Sequence, residues 1–181
     1  MKTSNLMMKD MQENLEYAYE KLKVQEVIDE LKLECFTAKD LCETFSELLQ
    51  YVKQIDSPVV FCHHDFRGGN IMVTEPAHQL KIIDLEYCGY GQRGYDMGTF
   101  FTEWGKAELF EEMATLLPPQ DAVEQFCRYY LEAFDRLVPG YSSKPENSLD
   151  RVVKEAKLFY AVQHMFFMSV MIKMETSIIP A

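Results

Sequence analysis

Pro58 divides this sequence into two kinds of pattern, and that break constrains the fold more than any other single feature. On its N-terminal side Leu15, Tyr19, Leu22, Val27 and Leu31 recur at helical spacing among Glu and Lys, which predicts an amphipathic helix from about Asn14 to Leu33. Thr37 and Asp40 then have the spacing of a capping box. They open a second helix whose apolar stripe is Leu41, Phe45, Leu48, Leu49, Val52 and Ile55. Proline lacks an amide hydrogen and pushes the residue before it out of the helical region, and the next four residues are the short β-rich run Val59-Val60-Phe61-Cys62. Two further runs, Ile71–Thr74 and Leu80–Asp84, flank Glu75–Gln79 and predict a hairpin, the only β element expected. Helical periodicity returns over Tyr95–Trp104, Asp121–Leu137 and Asp150–Met174, with breaks at Pro118-Pro119 and between Pro139 and Pro145. The expected class is α+β, mainly helical, with a small β-hairpin.

At 181 residues, 48% of them hydrophobic, the chain can bury one substantial core, so a single domain is expected. Twenty-nine acidic against 18 basic residues give a net charge of −11. That charge repels nucleic acid and anionic lipid and attracts cations, so an anionic ligand must be held through metal ions or local donors. Cys35, Cys42, Cys62, Cys88 and Cys127 share no C-x-x-C spacing and are expected as reduced thiols of an intracellular protein, with neither disulfides nor a zinc site. No signal-peptide pattern opens the chain. The most apolar stretch, Ala161–Met174, is interrupted by Gln163, His164 and Lys173 and is too short to span a bilayer. A soluble, cytoplasmic protein without membrane insertion is the expectation.

The chemistry is concentrated in His63-His64-Asp65-Phe66-Arg67-Gly68-Gly69-Asn70, followed fourteen residues later by Asp84. Asp65, Asn70 and Asp84 are expected on two loops bracketing the hairpin, with Asp84 at the end of a strand, where their tips can converge. Phosphoryl transfer asks for such a set: one carboxylate to orient or deprotonate the attacking hydroxyl, and hard oxygens to hold Mg²⁺ on the phosphates. Gly68-Gly69 lets the backbone between them turn tightly. The spacing H-x-D-x-x-x-x-N is the catalytic-loop pattern of kinases. The plain alternative is a polar turn. A zinc or iron site built from Cys62, His63, His64 and Asp65 is disfavoured, because adjacent residues of an extended run point to opposite faces.

Four blocks then stand in order: Val59 to Asp65 with Asn70-Ile71, Ile83-Asp84-Leu85-Glu86-Tyr87, Arg93-Gly94-Tyr95-Asp96-Met97-Gly98, and Glu103-Trp104. Together they resemble the choline/ethanolamine kinase family. The likeness runs from Pro58 to Trp104 and, more loosely, along Ala161-Val162-Gln163-His164-Met165-Phe166-Phe167. It implies a protein-kinase-like C-terminal lobe. On this reading 1–181 is one lobe, with a helical lead-in (1–57), the catalytic and metal-binding loops (58–104) and a helical substrate-side subdomain (105–181).

By the same resemblance Asp65 is the catalytic base, Asn70 and Asp84 hold Mg²⁺, and ATP is co-substrate. Tyr87, Glu103, Trp104 and Phe167 fall at acceptor-pocket positions, Phe167 where the family has a cation-facing Trp, although core packing accounts for it equally well. His63, Arg93 and Asp96 are implied as structural support. The implied activity phosphorylates choline, ethanolamine or a similar amine alcohol for phospholipid head-group synthesis. Two alternatives are a catalytically incompetent fragment serving as an interaction module and an aminoglycoside phosphotransferase-like kinase. The Glu86-Tyr87 and Glu103-Trp104 pairs speak against the second.

Some features depart from the family pattern. Only about sixty residues precede His63 and they have helical spacing, so the N-terminal nucleotide lobe with its Gly-rich loop is expected to be absent. Leu85 stands in place of the usual Phe, Val170 in place of a second Trp, and the chain stops at Ala181. Interlobe apolar surface left uncovered in this way would favour homo-oligomers or association.

Overall fold

The computed structural model describes residues 13, 16, 17, 24–30, 32, 37–76, 78–104 and 118–178, apart from the side chains of Val27 and of 167–178. Its contacts fall into two units, Met1–Asp56 with Val162–Ala181, and Ser57–Ala161, and each is described by itself.

The first unit contains helices α1 (Val24–Glu30) and α2 (Ala38–Ile55). The first carries part of the helix expected over Asn14–Leu33. Apart from helical Glu16 and Tyr17 and the turn residue Lys32, the rest of that stretch lies outside the described residues, as does Cys35. The start of α2 agrees with the sequence signal. Thr37 Oγ accepts the Asp40 amide at 3.2 Å while the Asp40 carboxylate accepts the Thr37 amide at 2.7 Å, so two otherwise orphaned donors are satisfied reciprocally. The Gln25 side chain accepts the Ala38 amide at 2.9 Å, which ties α1 to the first turn of α2. The stripe of α2 buries Phe45 and Val52, and the helix ends where Asp56 turns left-handed at φ 45°.

Among the described residues the second unit contains four strands in two separate antiparallel pairs. Strands β2 (Ile71–Thr74) and β3 (Gln79–Ile82) form the expected hairpin, in register Ile71 to Ile82 and Thr74 to Gln79. Two expectations are corrected here. Strand β3 ends at Ile82, so Asp84 lies beyond the ladder rather than at a strand end, with a left-handed φ of 63°. The hairpin is also not the only β element, because β1 (Val59–Cys62) pairs with β4 (Gly89–Gln92), Val59 opposite Gln92 and Cys62 opposite Gly89. The run Gly-Tyr-Gly-Gln has little β-propensity. What puts glycine in this strand is space, since a Cβ on Gly91 would stand 2.4 Å from the His64 ring nitrogen.

Among its described residues the unit also contains the α-helices α3 (Gly94–Thr102), α4 (Gln120–Leu137) and the beginning of α5 (Leu149–Ile178). All three occupy the stretches their periodicity predicts. Met97 and Phe101 of α3, Val123, Cys127 and Leu131 of α4, and Val152, Val153 and Ala156 of α5 form one buried cluster. Gly98 lets α3 meet α5 backbone to backbone, because a Cβ there would fall 2.4 Å from the Phe159 carbonyl carbon. Among the described residues no helix is long and apolar enough to cross a membrane.

Candidate active site

The segment after β1 is held by α3. Asp96, in the first turn of that helix, accepts the His63 amide at 2.7 Å and the His64 amide at 2.9 Å, one on each carboxylate oxygen. A carboxylate in a first helical turn is favoured by the helix dipole and can serve two backbone donors at once. His63 is buried and bridges two loops. Its Nδ1 accepts the Asp65 amide at 3.2 Å, so Nε2 carries the hydrogen and donates to the Ile83 carbonyl at 2.9 Å.

Asp65 and Asn70 are in direct contact. The Asn70 amide nitrogen donates to the Asp65 carbonyl at 2.9 Å and to its Oδ2 at 2.7 Å, and Arg67 Nε approaches the same oxygen at 3.3 Å. The 3₁₀ turn Gly68–Asn70 closes this loop, with Asn70 itself buried. Asp84 is brought in through its neighbour: the Ile83 amide donates to the Asn70 carbonyl at 3.0 Å, while the Ile83 carbonyl receives His63. Both the amide and the carbonyl of the residue preceding Asp84 are thereby pinned to the His63–Asn70 segment.

Tyr87, exposed on the next turn, reports on the field around this cluster. Its phenol is pushed above the ordinary value first by the charge of Glu86 and a hydrogen bond to it, then by desolvation, then by the charges of Asp84 and Asp65. Glu103 and Trp104 come directly after the last turn of α3, their amides bonded to Phe100 and Phe101 carbonyls, and Trp104 is 41% exposed. Phe167 and Val170 lie on α5, but their side chains are outside the described residues.

Hard oxygen donors are present for a divalent cation. With the Asn70 side-chain nitrogen committed to Asp65, its Oδ1 is the atom left to ligate, and the Asp84 carboxylate stands exposed next to the pinned residue. Two protein oxygens completed by phosphate and water suit Mg²⁺, which seldom takes an all-protein cage. Cys62 is a core side chain whose thiol burial, and then the charge of Asp96, push up to about 12.

Arg93 lies outside this cluster, buried to 2% exposure. It donates Nε and Nη2 to Glu155 at 2.9 and 2.8 Å, Nη1 to Asn147 and Tyr141 at 2.7 and 3.0 Å, and Nη2 to the Glu146 carbonyl at 3.0 Å. Burial pulls on the guanidinium, but the bonds and charge of Glu155 outweigh it and leave the group more basic than usual.

The family model for choline/ethanolamine kinases matches residues 1–179. The chain belongs to the choline/ethanolamine kinase family. Ethanolamine kinase 2 of Mus musculus is 31% identical over 120 residues, which are 66% of this chain and 29% of that protein. The choline/ethanolamine kinase of Homo sapiens is 38% identical over 108 residues, 55% of this chain and 27% of that one. Among solved structures, an ethanolamine kinase of Plasmodium vivax superposes with a TM-score of 0.70 at 20% identity, covering 95% of this chain and 44% of its own. The chain therefore has the fold of this family, the protein-kinase-like fold, and its aligned part spans about three tenths of the length of those two curated relatives.

Three residues that hold the predicted residues in place were given no role in the sequence reading. Glu155, the partner of Arg93, had a legible signal, because it falls on one helical face with Val152, Ala156 and Phe159, where a charge needs a buried partner. Arg67 and His64 had none, since their contacts with Asp65 and with Tyr87 depend on loop geometry.

Proposed function

We propose that this chain supplies the acceptor and metal side of a phosphotransferase that moves the γ-phosphoryl group of ATP to the hydroxyl of choline, ethanolamine or a similar amine alcohol. The observation that carries the reading is the hydrogen-bonded unit of Asp65 and Asn70, with Asp84 tethered to it through Ile83. Its support from family membership is independent of that geometry.

Asp65 Oδ2 is occupied by Asn70 and Arg67, which leaves Oδ1 for the substrate hydroxyl. The proton of that hydroxyl passes to Asp65 as the oxygen attacks phosphorus, while the backbone links from His63 and Asn70 keep base and ligand in fixed relation. Mg²⁺, held by Asn70 Oδ1 and Asp84, would neutralise charge on the phosphates. The ammonium end of the acceptor is stabilised by the acidic surroundings of Tyr87, with Glu103 and Trp104 as further pocket residues. The phosphorylated product suits phospholipid head-group synthesis. Small water-soluble substrates and the free thiols of Cys42, Cys62, Cys88 and Cys127 support action in the cytoplasm. Exposed Phe61, Leu80 and Leu85 support self-association, which light scattering across a concentration series would reveal as a rising mass.

The test is product formation from labelled ATP with choline and with ethanolamine, with Mg²⁺ and after chelation. Asp65→Ala is expected to lower turnover by about 10²–10⁴-fold. Equal turnover in the two proteins would remove the base assignment and with it the mechanism.

A further inference from the structure

His64 stands between the candidate base and the aromatic wall, yet the proposed phosphoryl transfer gives it no part. Its backbone is left-handed, with φ 67°, a conformation that His tolerates better than most residues. The conformation is fixed from one side by Asp96, which holds the His64 amide at 2.9 Å. The ring lies on strand β4. There the ring meets the edge of Tyr95, with centroids 5.1 Å apart at 85°, and covers two positions that have no side chain. A Cβ on Gly89 would touch ring carbon Cε1 at 3.6 Å, and one on Gly91 would collide with Nε2 at 2.4 Å.

Among the described residues the ring has one polar partner. Its Nδ1 lies 3.0 Å from the Tyr87 carbonyl, and because a carbonyl only accepts, Nδ1 carries the hydrogen. The residue immediately before Asp65 therefore grips the main chain of Tyr87, whose phenol feels Asp65 and Asp84. Few other bonds tie that turn down. The Cys88 amide to the Leu85 carbonyl at 3.1 Å is local, and Tyr87 is 60% exposed.

We propose that His64 is a positioning residue that sets the distance between the base Asp65 and the Tyr87 wall, and so selects how long an amine alcohol fits between them. This rests on the function proposed above. A rigid ring locked by Asp96, Tyr95 and the β4 glycines transmits the position of one loop to the other. An acceptor with its hydroxyl at Asp65 and its ammonium at Tyr87 senses that spacing, whereas the nucleotide does not.

The experiment compares the full chain with His64→Gly, which accepts the positive φ but has no ring, and His64→Asn, which accepts the φ and keeps a shorter donor. For His64→Gly the KM for ethanolamine is expected to rise about tenfold, the worth of one lost hydrogen bond with its ordering, with the KM for ATP within about twofold of the parent. His64→Asn is expected to recover part of the loss. Equal change in both KM values, or none in that for ethanolamine, overturns the proposal.

A second readout does not need turnover. In protein carrying ¹³C at the tyrosine ring carbon bonded to the hydroxyl, Tyr87, assigned with Tyr87→Phe, is expected to change both shift and titration midpoint in His64→Gly while the other tyrosines stay in place. An unmoved Tyr87 resonance overturns the proposal even if the parent chain is inactive. Inactivity with a moved resonance sinks only the proposed function.

Discussion

Glu155 and Asp65 are both carboxylates paired with an arginine, in the same unit of the molecule, and they are built in opposite ways. Glu155 and Arg93 have no exposed side-chain surface, and every nitrogen of the guanidinium donates. Glu155 in turn takes Ser57 at 2.8 Å and Arg151 at 3.2 Å. Asp65 and Arg67 keep 25% and 46% of their side-chain surface, and among the described residues Asp65 Oδ1 takes no hydrogen bond. A charge whose bonding capacity is filled has nothing left with which to meet a ligand, and its function is to fix the chain. A charge with an oxygen to spare, steadied from behind by neighbours, is prepared for chemistry.

The sharpest way to break that contrast is to remove one arginine at a time. Arg93→Ala leaves Glu155 charged and buried, and is expected to cost about 3–5 kcal/mol in urea unfolding, enough to threaten folding altogether. Arg67→Ala, at a solvated pair, is expected to cost under about 1 kcal/mol. A stability change for Arg93→Ala as small as that for Arg67→Ala would mean the sealed cluster is not what fixes these elements.

A smaller effect tests how the open cluster is kept in place. Gly91→Ala forces a methyl group into the His64 ring and is expected to cost about 1–3 kcal/mol, as overpacking usually does. In a His64→Gly background the same substitution meets no ring, and the cost should largely disappear. An undiminished cost in the double variant would locate the strain at Cys62 Sγ, 3.5 Å from the added carbon, and not at His64.

Legibility in the sequence depends on the range of the interaction responsible. Helices α2 to α5 are periodic over many residues, so their apolar stripes were legible, and the order His63, Asp65, Asn70, Asp84 pointed to the chemistry proposed above because it is a pattern in chain order. Strand β4 was not legible, since Gly91 is dictated by the ring of a residue more than twenty positions earlier, and no local propensity records that. The left-handed turns at His64 and Asp84 were hidden for the same reason. Each is imposed by bonds across loops, Asp96 to His64 and Ile83 to Asn70.

Asp40 separates two properties that are joined in Glu155, because its carboxylate takes two hydrogen bonds and yet is exposed. Its carboxylate takes the Thr37 amide at 2.7 Å and the Thr37 hydroxyl at 2.8 Å, and these bonds, the side-chain one first, hold its pKa below the ordinary 3.8. If accepted hydrogen bonds alone made a charge structural, losing this cap would rival the loss of Arg93. Burial argues otherwise, and Thr37→Ala is expected to lower the Tm by only about 2–4 °C. The depressed pKa gives the pH dependence its sign: the bonds stabilise the fold above pH 3.8, and that contribution is lost as pH falls through the lower folded-state value. Melting curves of parent and Thr37→Ala should therefore differ most near neutrality and draw together in acid. A Tm gap that stays constant down to about pH 2 would assign the effect to the Thr37 hydroxyl on the Asp40 amide, and would remove the charge from this cap.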